Sequence, residues 1–286
     1  MENSLYLYLN RIFPLKNKKE KNINPELTII IPAYNEPETI LKVFDRIEKY
    51  ISVNYEVFVV YDNNDDTTID VINRHYDKYN KINLVKNSVY PGPSGALRTG
   101  FMKANAPATL VTMADLSDDL TGINDLIKYL KNDIGVISFS RFCTGGNIIL
   151  NKPKSLFTNK GLKHSLKVIF PRIAGWLINL FSGLGTVDPT NSFKLYSTSM
   201  LQKLDLRSTI SFSVTLEIVM KNFAIGYKIK EVPTTWTDRD FGVSNFPLTK
   251  SLFSYFPWLL IMLFRNRLYV FSEKWLLQRY ARRREL

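Results

Sequence analysis

Four short polar clusters in this sequence contain side chains suited to chemistry on a charged ligand. They are residues 32–36, 61–66, 114–119 and 140–141. Two of them are rich in carboxylates, which are among the oxygen ligands that Mg²⁺ and Mn²⁺ prefer in proteins. The last ends in Arg141, whose planar guanidinium can donate two hydrogen bonds to one phosphate and keeps its charge. These residue types favour a ligand that carries negative charge.

Each polar cluster follows a segment that has the pattern of a buried β-strand. Apolar, β-branched runs predict strands at 27–32, 55–61, 83–86, 108–113 and 135–140. Apolar residues at helical spacing predict helices at 37–50, 67–79, 94–104 and 123–130. This alternation predicts an α/β fold with a mostly parallel sheet and helices on both faces. Because ligands bind at the carboxyl ends of such strands, we expect the clusters to converge on one site.

The composition limits the classes of protein to which this chain can belong. Its 286 residues, 45 % of them apolar, are enough for a full hydrophobic core. The formal charge of +12 favours an anionic partner such as nucleic acid, lipid headgroups or phosphorylated small molecules. No recognised nucleic-acid-binding motif accompanies the basic residues, so nucleic acid is not expected. A single cysteine, Cys143, excludes an internal disulfide, and two distant histidines do not form a zinc pattern.

Both ends of the chain have the composition of membrane-surface segments. Residues 1–26 mix aromatic residues, leucines and lysines without the apolar core of a cleaved signal peptide, which predicts an amphipathic segment. Residues 249–286 combine an apolar run too short to cross a bilayer alone with a tail rich in arginine and aromatic residues. We expect basic amphipathic helices that lie on anionic lipid. Two alternatives stay open there: an apolar helix packed on the core with a solvated basic tail, and a re-entrant hairpin.

The first polar cluster resembles a known signature. Ile31-Pro-Ala-Tyr-Asn-Glu36 is similar to the opening motif of family-2 glycosyltransferases, and the resemblance runs from about residue 28 to residue 246. It implies an inverting enzyme with a GT-A-type, Rossmann-like domain at residues 27–248 that binds a nucleotide-sugar. In that family the segment lines the nucleotide pocket. The donor-binding residues that it implies here are Pro32, Tyr34 and Glu36.

The second cluster resembles the family's aspartate-rich turn. Asp62 matches the aspartate that contacts the base, whereas Tyr61 replaces a further aspartate and Asn63 replaces a glycine. Because asparagine tolerates positive φ better than most residues, we expect Asn63 to preserve the turn. Asp66 is suited to capping the helix that follows. The resemblance adds Asp62 to the donor-binding residues.

The third cluster resembles the family's metal motif, Asp-Ala-Asp-Leu-Ser. Met113 replaces the first aspartate and Asp115 matches the second. The resemblance implies that Asp115, with Ser117 beside it, binds Mg²⁺ or Mn²⁺ against the donor diphosphate. Since Mg²⁺ often uses only one or two carboxylates together with phosphates and water, the loss of one carboxylate does not exclude the site. Asp118 and Asp119 are conceivable substitutes, or else solvated acids at the start of a helix.

Residues 92–100 resemble the family's glycine-containing segment, which opens the helix before the metal strand. A glycine turn there lets backbone approach the nucleotide, and the N-terminus of a helix favours negative charge. The resemblance therefore assigns Gly95 and Arg98 to donor binding.

Segments farther along the chain narrow the resemblance to the polyprenyl-phosphate, dolichyl-phosphate mannosyltransferase-like group. Residues 138–142 and 231–246 are similar to its segments, which implies that Arg141 and Arg239 bind donor or acceptor phosphate. Asn245 stands where lysine is usual, so the identity of the acceptor stays open. Two further segments match in order, residues 188–196 and 212–217. Within the first of them we expect ordinary core-strand positions for Phe193, Leu195 and Tyr196.

The resemblance implies transfer of a hexose, with inversion, from a UDP- or GDP-hexose to a polyprenyl phosphate or related lipid-linked acceptor. We expect a peripheral enzyme at the cytoplasmic face of a membrane. The basic segment at 152–163 and the apolar helix at 166–181 predict the acceptor side there. Asp115, Arg141 and Arg239 would stabilise the leaving diphosphate. A phosphate acceptor is already anionic, so no strong base is required.

Two other functions stay open. A family-2 enzyme that glycosylates a glycan hydroxyl needs a carboxylate to accept the proton, and Glu217 would be that base. A non-catalytic nucleotide-sugar-binding subunit is the second alternative, because Tyr61, Met113 and Asn245 replace charged family residues. Assembly into a homo-oligomer also stays open.

Overall fold

A seven-stranded sheet lies at the centre of the part of the chain that the structure describes. The structure is a computed structural model, and it describes residues 24–130, 133–150, 159–238, 258 and 260. The strands are β1 (Leu27–Pro32), β2 (Tyr55–Tyr61), β3 (Ile82–Lys86), β4 (Ala108–Val111), β5 (Ile134–Ser140), β6 (Asn147–Ile149), β7 (Lys194–Ser197), β8 (Lys228–Pro233) and β9 (Thr235–Thr237). The sheet has the order β3-β2-β1-β4-β7-β5-β8, and β7 runs antiparallel to its neighbours, while β6 and β9 form a separate pair. The mostly parallel sheet that the sequence predicts is confirmed.

Helices cover both faces of the sheet, as the sequence predicts. They are α1 (Ile40–Tyr50), α2 (Thr67–Arg74), α3 (Pro93–Lys103), α4 (Ile123–Ile127, followed by a 3₁₀ turn at Lys128–Leu130), α5 (Asn159–Ser182), α6 (Thr198–Leu201) and α7 (Ser213–Ala224). Alternate residues of a strand point to opposite faces. Ile29 and Ile31 of β1 therefore share one apolar core with Phe44 of α1, whereas Ile30 shares the other with Leu97 of α3. Polar residues collect in the loops at the ends of the strands.

The first five strands agree closely with those predicted from the sequence, whereas β6, β8 and β9 were not predicted. β1 and β2 have the predicted bounds, and β3 and β5 each start one residue earlier than predicted. β4 ends at Val111 instead of residue 113, because the Met113 N–H donates to the Asp118 carboxylate rather than to a neighbouring strand. The residues released in this way belong to the loop that contains Asp115.

The predicted helices are confirmed with shifted ends. α1 begins at Ile40 instead of residue 37, and α2 ends at Arg74 instead of residue 79. The apolar helix predicted at 166–181 is the longer α5. The sequence analysis did not predict the place of β7, which lies between β4 and β5. The expected core positions next to or within β7 are completely buried: Phe193, Leu195 and Tyr196.

Some predictions fall outside the described residues. These are the amphipathic segment at 1–26 apart from residues 24–26, the basic segment at 249–286 apart from residues 258 and 260, and Arg239. Among the helices that the structure describes, none is both long enough and apolar enough to cross a bilayer.

Candidate functional site

The loops after β1 and β2 are joined by reciprocal hydrogen bonds. Asp66 caps α2 as predicted, since its Oδ1 accepts from the Thr68 N–H at 2.9 Å, and the same oxygen accepts from the Asn35 N–H at 3.0 Å. The Asn35 side-chain oxygen in turn accepts from the Thr67 N–H at 3.1 Å. Asn35 has a φ of 53°, a left-handed conformation that asparagine tolerates. The first two polar clusters thus form one connected surface at the ends of β1 and β2.

Three predicted donor-binding residues lie on the first of these loops. The Tyr34 side chain is 54 % exposed, so its ring is open to a planar ligand. Glu36 is half-buried, and its backbone N–H donates to the Thr68 hydroxyl at 2.9 Å. Pro32 is the last residue of β1. All three lie at the carboxyl end of β1, which is where sheets of this kind bind ligands.

Asp62 lies just after β2 and organises the neighbouring turn. One of its carboxylate oxygens accepts from the Asn87 side-chain amide at 2.7 Å, and the other accepts from the Gly92 N–H at 2.7 Å. Gly92 has a φ of 104°, so this turn needs glycine as well as the carboxylate. Asp62 is half-buried, and its binding to the donor stays a prediction.

The turn at Asn63 forms, and it does so without a positive φ at that residue. Among the described residues other than glycine, those with positive φ are Asn35, Leu116 and Ser211. The turn is closed instead by the Asp66 N–H, which donates to the Asn63 carbonyl at 3.3 Å. Since this turn needs no left-handed residue at position 63, replacing the family's glycine with asparagine is tolerated there.

Gly95 is required by packing inside the protein. A β-carbon at Gly95 would lie 1.8 Å from the Tyr90 carbonyl oxygen, so glycine allows the Tyr90 backbone to cross the first turn of α3. The approach of this backbone to the nucleotide stays a prediction. Arg98 is half-buried and donates to the Tyr90 hydroxyl at 3.4 Å, and that hydroxyl donates to the Ser208 carbonyl at 2.6 Å. Donor binding by Arg98 stays a prediction.

Residues 113–118, called the Asp115 loop below, carry the predicted metal ligands. Asp115 is 7 % exposed, and its Oδ1 accepts from the Ser117 N–H at 3.1 Å and from the Ser117 hydroxyl at 2.6 Å. This arrangement fixes the direction of the carboxylate. The Ser117 hydroxyl therefore orients Asp115, and its predicted role as a direct metal ligand stays a prediction.

The Asp118 side chain is hydrogen-bonded to the two residues that follow β4. Its Oδ2 accepts from the Met113 N–H at 2.9 Å and from the Thr112 hydroxyl at 3.0 Å. Burial and the neighbouring Asp115 charge raise the pKa of Asp118 to about 7, although these two hydrogen bonds and Arg141 oppose the shift. Asp118 thus places a carboxylate against the backbone of Met113, the residue that replaces the family's first aspartate.

The Asp115 loop and Arg141 lie at the same end of the sheet. β7 separates β4 from β5, and the register places Lys194 directly between Val111 and Ser138. With strands about 4.8 Å apart, the ends of β4 and β5 are about 10 Å apart. The Asp115 charge raises the pKa of Asp118 and the Arg141 charge lowers it. The structure therefore brings these two clusters together, as the sequence predicts.

Arg141 is held by a buried aspartate. Its Nε and Nη2 donate to the two carboxylate oxygens of Asp188 at 2.8 and 2.9 Å, and its backbone N–H donates to Oδ2 at 3.0 Å. The Asp188 side chain is 0 % exposed and the Arg141 side chain is 15 % exposed. Burial by itself would raise the pKa of Asp188, but the Arg141 charge and hydrogen bonds hold the pKa below its ordinary value. Sequence analysis gave Asp188 no role, although it is an acidic residue in an otherwise uncharged stretch.

Lys194 is a second residue of this site that sequence analysis missed. It is completely buried, and its ammonium donates to the Asn191 carbonyl. Burial lowers the pKa of Lys194 to about 7, while the Asp188 charge opposes the shift. Glu231 of β8 anchors the segment before Asp188 by accepting from the Val187 N–H at 2.7 Å. The sequence signal for this buried charged cluster is Lys194 itself, a lysine between the apolar residues Phe193 and Leu195 at the start of β7.

The last residue of β9 contacts the Asp115 loop. The Thr237 N–H donates to the Ser117 carbonyl at 3.0 Å, which joins the end of β9 to that loop. Arg239 follows two residues later and lies outside the described residues. Its role in binding phosphate stays a prediction.

Glu217 has a structural role in α7. Its side chain is 0 % exposed. Its oxygens accept from the backbone N–H groups of Arg207 and Ser208 at 2.8 and 2.7 Å, and Lys221 donates to it at 2.5 Å. A catalytic base must come within hydrogen-bonding distance of the acceptor. The assignment of Glu217 as the base for a hydroxyl acceptor therefore lacks geometric support.

The Asp115 loop fits a divalent cation that is bound together with a diphosphate. Asp115 and Asp118 are close enough for one charge to raise the pKa of the other carboxyl, so a cation would relieve a local excess of negative charge. Within the described ranges, no group of three or more His, Cys, Asp or Glu side chains is arranged so that it could hold a metal ion by itself. Mg²⁺ commonly takes one or two protein carboxylates and completes its ligands with phosphates and water.

Comparison of the structure with solved structures confirms the GT-A-type fold. Glucosyl-3-phosphoglycerate synthase from Mycobacterium tuberculosis, crystallised in complex with Mg²⁺ and UDP, superposes with a TM-score of 0.56 at 16 % sequence identity. The match covers 84 % of this chain and 79 % of that chain. At this identity the similarity establishes the fold alone.

Sequence comparison identifies relatives with named activities. The dolichol-phosphate mannosyltransferase of Pyrococcus furiosus is 27 % identical over 231 residues, which are 80 % of this chain and 61 % of that protein. The dolichyl-phosphate beta-glucosyltransferase of Dictyostelium discoideum is 23 % identical over 256 residues, which are 84 % of this chain and 75 % of that protein. The profile of the family "Glycosyl transferase family 2" matches residues 28–205. Since that match covers more than half of the sequence and includes the loops after β1, β2, β4 and β5, this chain belongs to glycosyl transferase family 2.

Proposed function

We propose that the protein transfers a hexose, with inversion, from a nucleotide-sugar to a polyprenyl phosphate. The observation that carries the proposal is the placement of the Asp115 loop beside the Asp188-held Arg141 at one end of the sheet. A carboxylate that can hold a divalent ion and a fixed guanidinium are the groups needed to stabilise a leaving diphosphate. The names of the relatives from Pyrococcus furiosus and Dictyostelium discoideum support a dolichol-type phosphate as acceptor.

The donor is proposed to be a UDP- or GDP-hexose. The exposed ring of Tyr34 and the carboxylates of Glu36 and Asp62 lie on adjacent loops, where they suit a base and a ribose. A structure of the glucosyl-3-phosphoglycerate synthase that contains Mn²⁺ and UDP-glucose supports a nucleotide-sugar with a divalent ion as the donor for this fold. Mg²⁺ or Mn²⁺ bound at Asp115 would neutralise charge on the diphosphate.

The protein's own residues then orient and stabilise the reactants. Ser117 fixes the direction of the Asp115 carboxylate, and Asp188 fixes the guanidinium of Arg141. Arg239 is proposed as a further phosphate-binding group, because the chain meets the Asp115 loop at Thr237, two residues earlier. A phosphate monoester attacks as an anion, so the site needs no buried base.

The replacement Glu217→Gln separates a phosphate acceptor from a hydroxyl acceptor. We expect a folded variant that transfers sugar within about threefold of wild type, because no proton has to be accepted at Glu217. Its free energy of unfolding should fall by about 1–3 kcal/mol, since an amide cannot accept from both backbone N–H groups. Steady-state transfer assays and urea unfolding measure the two effects. Loss of transfer in a folded variant would instead support the hydroxyl-acceptor alternative.

A membrane surface is proposed to lie against α5. Five large apolar side chains of this helix are each 48–60 % exposed: Ile169, Phe170, Ile173, Trp176 and Leu180. Four of them follow the spacing of one helix face. α5 contains four basic residues and no acidic residue, which suits an anionic bilayer. Its other side packs closely at Gly175, where a β-carbon would lie 2.0 Å from the Val187 carbonyl oxygen, so the helix lies next to the segment that carries Asp188.

The double variant Ile173→Ser/Trp176→Ser tests this surface. We expect its affinity for vesicles that contain phosphatidylglycerol to fall on the order of tenfold, because two apolar side chains lose burial in lipid. Sedimentation with vesicles measures the affinity, and Met102→Ser, which changes an apolar residue of α3 that is 66 % exposed, serves as the control. Equal binding by both variants would reject α5 as the lipid-facing surface and leave residues 249–286 as the proposed anchor.

The transfer reaction is tested with purified protein, Mg²⁺ or Mn²⁺, a panel of UDP- and GDP-hexoses, and a polyprenyl phosphate. We expect release of nucleoside diphosphate with at least one donor, and only when the acceptor is present. Binding of a nucleotide-sugar without turnover for any donor would support the non-catalytic alternative.

A further inference from the structure

We infer that Arg46 is a positioning residue for Asp115 and that it acts by holding the backbone of the Asp115 loop. Its Nη1 donates to the Leu116 carbonyl and its Nη2 donates to the Asp118 carbonyl, both at 2.8 Å. These carbonyls lie on either side of Ser117, the residue that orients the Asp115 carboxylate. The inference rests on the proposed function, because it assigns Asp115 to cation binding.

α1 gives Arg46 a firm base. The neighbouring residues Val43, Phe44 and Ile47 are at most 3 % exposed and belong to the apolar core that also contains Ile29 and Ile31 of β1. Arg46 is half-buried and reaches from α1 to the Asp115 loop, about 70 residues away in sequence. A planar guanidinium can donate to two carbonyls at once, which a lysine ammonium does with less defined geometry.

The backbone that Arg46 holds is in an unfavourable conformation. Leu116 has a φ of 66°, in the left-handed region of the backbone that residues other than glycine, asparagine and aspartate rarely adopt. Such a conformation is strained and persists only where the surroundings hold it. The hydrogen bond from Arg46 to the Leu116 carbonyl is one such restraint. Without it, we expect the loop to populate conformations in which Asp115 points elsewhere.

The loop has a second restraint near its start, at Met113. The Asp118 carboxylate accepts from the Thr112 hydroxyl and the Met113 N–H, which closes the loop against β4. Met113 supplies no carboxylate at the position of the family's first metal-motif aspartate, so cation binding depends on the orientation of Asp115. Arg46 and the Asp118 carboxylate thus restrain different parts of the loop, and the arginine does so from a different element of the fold.

Cation binding, measured without turnover, tests the inference. Free Mn²⁺ is quantified by electron paramagnetic resonance in titrations of the wild type, Arg46→Met, Arg46→Lys and the control Lys49→Met, each with UDP and, separately, with GDP. Lys49→Met removes the same charge from an exposed position of the same helix. We expect the Mn²⁺ dissociation constant to rise about tenfold in Arg46→Met, which is typical of lost outer-shell support. Arg46→Lys should show a smaller rise and Lys49→Met less than a twofold change.

The melting temperature of each variant is measured on the same samples. A weaker Mn²⁺ affinity in a variant that melts near the wild-type temperature shows that Arg46 positions Asp115. A loss of stability alone would not change the affinity of the molecules that stay folded. Arg46→Met binding within twofold of wild type, or an equal loss in Lys49→Met, would overturn the inference. If Arg46→Met does not fold, Arg46→Lys decides by the same criterion: an affinity within twofold of wild type overturns the inference.

The outcome is separable from that of the transfer assay. Mn²⁺ binding that depends on Arg46 in a protein that transfers no sugar would reject the proposed reaction and keep the inference. Sugar transfer with Mn²⁺ binding that is independent of Arg46 would reject the inference and keep the reaction. A wild-type protein that binds no Mn²⁺ with either nucleotide would overturn the inference together with the proposed cation site.

Discussion

Replacement of Asp115 with asparagine is expected to reduce sugar transfer by about a thousandfold, the largest effect of any single change considered for this site. The amide retains the shape of the side chain and can still accept from Ser117. It loses the negative charge that would hold a divalent ion against the donor diphosphate. The Asp115 carboxylate is 7 % exposed and accepts two hydrogen bonds from Ser117, so its charge is held in one direction.

Initial rates of nucleoside diphosphate release, measured over a range of Mg²⁺ and Mn²⁺ concentrations, check this result. Asp125→Asn provides a matched control, because it makes the same change at an exposed position of α4. The control should transfer sugar at the wild-type rate. If Asp115→Asn retains more than a tenth of the wild-type rate at every metal concentration, Asp115 does not have the role assigned to it.

Replacement of Asp188 with asparagine is expected to lower the free energy of unfolding by about 3–5 kcal/mol. Asp188 is completely buried and accepts three hydrogen bonds from Arg141. Its charge also opposes the lowering of the pKa of the buried Lys194. Removing one partner of a buried charged group leaves the other charges without compensation. The variant should also lose transfer activity, since the guanidinium of Arg141 is no longer fixed.

Urea unfolding followed by circular dichroism measures the loss of stability. Asp205→Asn is the matched control, because Asp205 pairs with Arg207 at 3.2 Å while both side chains are about half exposed. Exposed pairs contribute little, so the control should differ from wild type by less than about 1 kcal/mol. A loss in Asp188→Asn as small as in the control would show that the buried pair does not stabilise the fold. A double variant with Arg141→Gln should recover part of the loss, because the uncompensated cation is removed as well.

Strands β1, β2, β4 and β5 were predictable because they are mostly buried, apolar runs. Runs such as 27–32 and 55–61 are buried between two layers of helices, and continuous β-branched runs are typical of that environment. The position of β7 was not predictable in the same way. Its insertion between β4 and β5 depends on pairing between residues more than 50 positions apart, which no local pattern encodes.

Contacts within the candidate site were predictable where both partners lie in the same loop. Asp66 caps α2 as predicted, since capping depends on residues two positions apart. The roles of Gly95, Arg46 and Asp188 were not predictable, because each depends on a partner brought close by the fold. Gly95 makes room for the Tyr90 carbonyl, and Arg46 reaches the Asp115 loop from another helix. Neither spacing nor residue type indicates such contacts.

The central claim is that the sugar is transferred to a lipid phosphate, and the lipid product tests it most directly. The full chain is incubated with the active nucleotide-sugar and an equal mixture of a polyprenyl phosphate and the corresponding polyprenol, and the lipids are analysed by mass spectrometry. We predict a hexosyl monophosphate lipid that retains its phosphate, and no glycosylated polyprenol. Glycosylated polyprenol as the main product, with the lipid phosphate unchanged, would contradict the claim.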